Sequence, residues 1–238
     1  MNNLINITLI TLALLITSAH TSPDSQRVRN ALHQIESNTY KNATPQIKIL
    51  KTCTVSEFDD YAKQKLQGLI QTEHPQRDQL ILLGGFIGLD ASLFKQISET
   101  TEKQSVKQAA KLARVRLGDK ALLANMMKNI KKLPVNDEFV YTVAPMLLYV
   151  RQREATNYVL DVIQRKSSYC SVPNPERSGT INCGYRLIEQ LPAVINNFPY
   201  SLKTSGDLDT PDYKVALNNI RRWINENNES YSMNKTIY

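Results

Sequence analysis

Residues Lys103 to Leu133 read KQSVKQAAKLARVRLGDKALLANMMKNIKKL. Val106, Ala109/Ala110, Ala113 and Leu117 recur at three-to-four spacing, and so do Leu122/Leu123, Met126/Met127, Ile130 and Leu133. That spacing predicts two amphipathic helices. Leu117-Gly118-Asp119 lies between them. The glycine closes the first helix in a left-handed conformation, and the aspartate opens the second as its N-cap. Two helices on so short a hinge bury too little apolar surface to stand alone, so their neighbours must complete the core.

The neighbours follow the same grammar. Ser56-Glu57-Phe58-Asp59 reads as a capping box with Asp in the Glu position, followed by Phe58, Tyr61/Ala62, Leu66 and Leu69/Ile70 at helical spacing. Gln76 to Leu89 is a strongly apolar helix, and Asp90 caps another that bears Leu93, Phe94 and Ile97. Downstream, Asn136 caps a helix through Val150, which Pro145 bends by removing a backbone donor. The helix after it runs to about Lys166 with Ala155, Val159, Val162 and Ile163 inside. Cys183 to Asn197 is expected to be helical around Leu187, Ile188, Leu191 and Ile195, with Pro192 internal. Thr210-Pro211 starts the last helix as cap and first-turn proline, burying Tyr213, Leu217, Ile220 and Trp223/Ile224. Near the start, Asp24 to Ser37 carries Val28, Leu32 and Ile35 on one side. Asn38 to Thr54 reads either as strand or as a distorted helix, and the tail 229–238 as frayed or packed flat on the last helix.

Laid over one another, the segments rhyme. Phe86 to Phe94 (FIGLDASLF) matches Val115 to Leu123 (VRLGDKALL) with the Gly-to-Asp spacing off by one, and the two glycines stand 30 residues apart. The next equivalent hinge, Val150 to Ala155, comes 33 residues later and lacks the Gly-Asp. Paired helices at such a period are a solenoid signature. Ser105 to Leu133 resembles a HEAT repeat of the short bacterial type, in which a Val-Lys-x-x-Ala-Ala start and a Leu-Gly-Asp turn are typical. Residues 56–99 and 136–167 match by pattern only, and 183–228 looks like a divergent capping pair. The resemblance implies an all-α fold, an α-α superhelix of about four to five helix pairs over 56–228 that offers a curved surface to a partner. It implies no catalytic residue and no cofactor. In that family's geometry the second helix of each pair lines the concave side. The candidate binding residues are then Asn125, Lys128, Lys131 and Lys132, with Lys95 and Gln96 from the preceding pair and Asn157, Asp161 and Gln164 from the following one.

The chain opens on an apolar, uncharged run, Leu4 to Ile16, followed by the small residues Thr17-Ser18-Ala19. Residues 1–19 read as a secretory signal, although no Lys or Arg precedes the run. The run is shorter than the roughly 20 residues of a membrane span. The mature chain, with an N-terminal segment 20–55 holding one helix, is expected to be soluble, secreted or periplasmic, and without a transmembrane segment. Export favours disulfides. Cys170 and Cys183 bracket the polar stretch SVPNPERSGTIN and are expected to clip it shut, a restraint worth roughly 3 kcal/mol on the chain-entropy estimate. Cys53 is left over, as a partly buried thiol or an intermolecular bridge. No Cys-x-x-Cys or Cys/His cluster supports a zinc site.

The net charge of +7 is concentrated in one place: between Lys103 and Lys132 there are nine basic residues and one acid, Asp119. On the first helix Lys103, Lys107, Lys111 and Arg114 share the outer face, and Lys120, Lys128, Lys131 and Lys132 lie on the polar side of the second. Such a field attracts anionic partners. For an exported chain these are acidic glycans, lipid headgroups and acidic proteins more often than nucleic acid, and the expected partner is a protein or an anionic glycan.

Catalytic readings are thinner. With His20 at the signal junction, His33 and His74 stand far apart in dissimilar contexts, so no nucleophile–base pair is named. Of the carboxylate clusters, Asp59-Asp60 reads as helix-start charge. Asp207/Asp209/Asp212 reads as turn chemistry in SGDLDTPD, which lacks the 12-residue calcium-loop pattern. Glu226/Glu229 lies on a polar helix end. Gly84-Gly85 before Gly88 lacks the GK[ST] of a phosphate loop and reads as small residues that let two helices approach. The leading expectation is a binding or scaffold protein. The alternative is a periplasmic hydrolase or glycan-processing enzyme with two facing acids in a deep pocket.

Overall fold

The computed structural model describes residues 23–37, 42–172 and 178–238. The leader read over 1–19 lies outside them. The described residues are mostly helical, with eleven α-helices and one two-stranded hairpin. None of these helices is long and apolar enough to cross a membrane.

The N-terminal segment holds two helices rather than one: α1 (Pro23–Ser37) and α2 (Thr44–Lys51). The stretch left open between strand and distorted helix is regular α-helix over α2. Asn42 Oδ1 accepts from the Thr44 N–H, Pro45 occupies the first turn where no donor is missed, and Ile47 and Leu50 go inward. The start of α3 also differs from expectation. The capping box runs from Thr54 to Glu57 around a short 3-10 turn, and α3 (Asp60–Gln71) begins only after Asp59, whose carboxylate caps it by accepting from Ala62 N–H at 2.9 Å. Arg29 pairs with the same carboxylate at 2.6 Å, tying α1 to α3.

Three helix pairs follow: α4 (Arg77–Phe86) with α5 (Ala91–Thr100), α6 (Gln104–Arg116) with α7 (Lys120–Ile130), and α8 (Ala144–Tyr149) with α9 (Arg153–Gln164). The Gly118 hinge is built as its sequence requires. Gly118 has φ +102°, its N–H bonds the Val115 carbonyl, and Asp119 N–H reaches back to the Arg114 carbonyl, a Schellman closure. Asp119 then caps α7 by accepting from Leu122 N–H at 3.0 Å. The third hinge has no glycine, yet Arg151 takes its place with φ +51°. Beside it, Gln152 Nε2 donates to the Val115 and Arg116 carbonyls, so one hinge caps the end of the helix before the previous one. Pro145 is accommodated by a π-helical segment, Phe139–Val143, immediately ahead of α8.

Gly84 and Gly85 serve helix approach. A Cβ on Gly85 would stand 2.7 Å from the Ala113 Cβ of α6 and 2.5 Å from Tyr149 Oη, so α4 and α6 pack closer than any side chain there permits.

The chain after α9 departs most from expectation. The clipped loop is a hairpin, β1 (Tyr169–Ser171) antiparallel to β2 (Thr180–Asn182), with Cys170 facing Ile181; residues 173–177 are outside the described set. The Cys170–Cys183 disulfide is formed, with Cα atoms 5.0 Å apart. Cys183 to Asn197 is not one helix. α10 (Gly184–Leu187) gives way to a 3-10 turn and then irregular chain, because Pro192 has no N–H to continue the ladder and Asn197 turns left-handed at φ +57°. Leu187, Ile188, Leu191 and Ile195 are nevertheless buried as expected. α11 (Tyr213–Asn227) starts after Asp212, which accepts from the Lys214 and Val215 N–H groups, rather than at Thr210-Pro211.

The tail is neither frayed nor laid along α11. It runs back across the molecule as a strap. Asn196 N–H bonds the Ser232 carbonyl, Asn234 N–H the Val194 carbonyl, and Val55 N–H the Thr236 carbonyl. Tyr238 ends against Phe86 and Tyr149, with ring centroids 5.7 Å from each. Two hydrophobic cores, one around α1 to α6 and one from α6 onward, meet at Leu82 and Tyr238, which pack against both. Arg151, only 4% exposed, holds the junction. It donates to the carbonyls of Leu148, Ala193, Asn234 and Tyr238. Burial brings its pKa down to about 10, so it stays cationic at neutral pH.

Candidate functional site

The nine cations between Lys103 and Lys132 divide by what they touch. Arg114 donates to Asp119 at 2.7 Å and to Ser98 Oγ at 3.3 Å, a local tie around the hinge. The Leu122 N–H and, next, this guanidinium hold the Asp119 carboxyl below its ordinary 3.8. Arg116 turns inward, sandwiched between the Phe86 and Tyr149 rings and donating to the Tyr149 carbonyl. Lys131 stands 3.7 Å from Glu154 at the start of α9. Among the described residues the other six lysines (103, 107, 111, 120, 128 and 132) form no ion pair. The two arginines of the basic unit are therefore structural, and its free charge is lysine.

α6 and α7, with Val143 and Met146, enclose a groove of about 300 Å³, and of these six lysines Lys111 lines it. Gln108 and Lys111 of α6 face Asn125 and Asn129 of α7 across its rim, with Asn129 donating to Asn125 at 3.1 Å. Its floor is apolar, built from Leu112, Val115, Leu122, Met126, Ile130 and Met146. Leu133, 46% exposed, forms a lip. The doublets explain why the floor exists. Leu123 and Met127 fill the core, while Leu122 and Met126 remain half-exposed in the groove. An apolar stripe wider than the core requires was the available sequence signal, but its residues were read only as core.

The expected binding residues are only partly brought together. Asn125 is on the groove rim, and Lys128 and Lys132 stand exposed three and seven positions further on, with Lys131 between them. Lys95 is exposed on α5 but does not line the groove. Two of the three residues expected from α9 are already engaged. Asn157 accepts from Tyr231 Oη at 2.6 Å, and Gln164 donates to the Arg221 carbonyl and to Asn225. Asp161 is exposed on the same helix. The strap and α11 pack on α9, so its polar side chains hold the C-terminal elements rather than continuing a groove from α5.

The acidic clusters are occupied too. Asp59 caps α3, Asp212 caps α11, and Asp207 accepts from Ser205 Oγ at 2.8 Å. Cys53 is fully buried, and burial, followed by the neighbouring Glu57, pushes its thiol up to about 11. His74 is buried and takes the Gln76 N–H on Nδ1, and burial lowers its pKa. No family model matches this chain, and neither a curated protein nor a solved structure matches it.

Proposed function

We propose that this chain is an exported helical-repeat binding protein whose α6–α7 unit docks an acidic polypeptide segment. The reading takes the α4 to α9 pairs as HEAT-like repeats stacked in an α-α superhelix. The recurrence of left-handed hinges at Gly88, Gly118 and Arg151 supports it, as does the Gln152 cap that reaches from the third hinge to the end of α6. Signal-like residues 1–19 and the Cys170–Cys183 disulfide support export.

One observation carries the docking assignment: the two helices that wall an apolar groove, with Lys111 in its lining, also hold most of the six lysines that have no ion pair among the described residues. An acidic peptide satisfies both halves, with an apolar side chain on the Met126 floor and carboxylates on Lys111, Lys128 and Lys132. An anionic glycan would use the lysines and leave the apolar floor wet. Charge at the rim speeds encounter, and burial at the floor slows release.

The test is affinity capture from an exported-protein extract with four proteins: wild type, Lys128→Glu/Lys132→Glu, Met126→Asp and the distant control Lys63→Glu. Loss of the same captured acidic protein by both the charge and the floor variants, with retention by the control, is the expected result. Equal capture by all four would sink the assignment.

A further inference from the structure

A second cavity, of about 730 Å³, lies between α10, the 203–211 turn and the start of α11. Its volume is in the range of small-molecule sites. Three of its wall residues are acids, and each already has a structural task. Glu189 accepts from Tyr213 Oη at 2.6 Å, Asp207 accepts from Ser205 Oγ, and Asp212 caps α11. The Tyr213 hydroxyl in turn accepts from the Leu208 N–H, which fixes it in place.

The cations on the same wall are less fully engaged. The Arg186 side chain is 24% exposed, and its guanidinium makes no hydrogen bond among the described residues. Its Nε is buried without a partner, and its nearest carboxylate oxygen, on Glu189, is 4.0 Å away. The other partly buried arginines use their donors: Arg29 on Asp59, Arg77 on the Ile70 carbonyl, Arg114 on Asp119, Arg116 on the Tyr149 carbonyl and Arg221 on the Ile163 carbonyl. Lys203 and Lys214, exposed at the mouth, have no ion pair among the described residues. The exposed part of this guanidinium stands on the cavity wall with its nearest carboxylate oxygen at 4.0 Å, beyond hydrogen-bond reach, so it can take a charge-assisted hydrogen bond from a ligand acceptor there.

We infer that this cavity binds a small organic acid, with its carboxylate on the Arg186 guanidinium and its apolar body against Ile181, Leu208 and Pro211. The charge balance selects the class. Three cations and three carboxylates line the space, so a monoanion gains the arginine fork without the repulsion that a phosphate dianion meets from Glu189, Asp207 and Asp212. This site is independent of the α6–α7 docking surface.

The test is calorimetric titration of the full exported chain with benzoate, hexanoate and inorganic phosphate as separate probes. Saturable one-site binding of at least one carboxylate, tighter than phosphate, is expected. Arg186→Gln should weaken it by about tenfold to a hundredfold, the loss of a charge-assisted hydrogen-bonded pair. Arg186→Lys should fall between, because it keeps the charge and loses the planar fork. Unchanged melting temperatures would show that these variants fold, and Lys128→Glu/Lys132→Glu should bind the carboxylate as wild type does. Absence of saturable carboxylate binding, an Arg186→Gln protein that binds like wild type, or phosphate binding tighter than either carboxylate would overturn the assignment.

Discussion

Replacing Arg151 with methionine keeps the apolar stem and removes a buried cation that serves four carbonyls: Leu148 at its own helix end, Ala193 in the irregular segment, and Asn234 and Tyr238 in the strap. Hydrogen bonds to a charged donor are worth about 1.5–3 kcal/mol each. The four do not simply add, because removing the guanidinium also recovers several kcal/mol of its desolvation cost. The expected net loss is about 3 kcal/mol, a large share of the roughly 5–15 kcal/mol that holds a domain folded. Urea unfolding followed by far-UV circular dichroism measures it. Hydrogen exchange locates it. The amides of Val55, Asn196 and Asn234, which bond the strap or are bonded by it, should lose protection first, while those inside α6 follow global unfolding. Arg151→Lys should lie between wild type and Arg151→Met, since one ammonium reaches fewer of the four acceptors. A loss under about 1 kcal/mol, or a full loss without early exposure of those three amides, would refute the role of Arg151 as the pin of the strap.

Gly85→Ala places a Cβ against Ala113 and Tyr149 Oη, and should cost about 1–3 kcal/mol by overpacking in the same urea assay, whereas an exposed-site Gly68→Ala should not. Thiol labelling of the unreduced protein should find no reactive cysteine when native, one after denaturation (Cys53) and three after reduction, and three before reduction would rule out the disulfide. Two acid steps are expected in stability against pH. His74 has its pKa lowered by burial, so the unfolded chain takes the proton first; its contribution is present above the ordinary value of 6.5 and declines as pH falls below it. His74→Gln should remove that shallow step. Asp119, held down by the Leu122 N–H and then by Arg114, contributes above 3.8 and loses that contribution as pH falls further; Glu36, Glu57, Asp59 and Asp90 are lowered too, so Asp119→Asn should reduce the lower step without abolishing it and leave the upper one unchanged. Urea midpoints taken from pH 7 down to 3 read both.

The helices that were legible in the sequence are those whose partners are near neighbours. From Gln76 to Gln164 the apolar spacing, the Asp90 and Asp119 caps and the Gly118 closure are local signals, and each is realised. α2 was obscured because Pro45 and the β-branched Ile47 and Ile49 suit a strand as well as a first helical turn. The 183–197 segment kept its apolar period and lost its helix, since Leu187, Leu191 and Ile195 are buried by neighbours whatever the local backbone does. The strap left no periodic trace at all. Its contacts are backbone groups bonded across long separations, as from Arg151 to Tyr238, and a strap of irregular chain has no period to read. The same cause misplaced part of the candidate site: Asn157 and Gln164 have the spacing of a binding face, and what they bind is the chain's own C-terminal elements. The groove beside α7 was hidden in the doublets, where half of an over-wide apolar stripe is wall rather than core.

The central claim is that a partner seats on α6 and α7, and lysine acetylation footprinting of the protein with and without its captured partner tests it most directly. The account predicts that Lys111, Lys128 and Lys132 are shielded in the complex, while Lys63, Lys203 and Lys214 react as in the free protein. Lysines of α6 and α7 that stay as reactive in the complex as in the free chain, with shielding elsewhere, would contradict it.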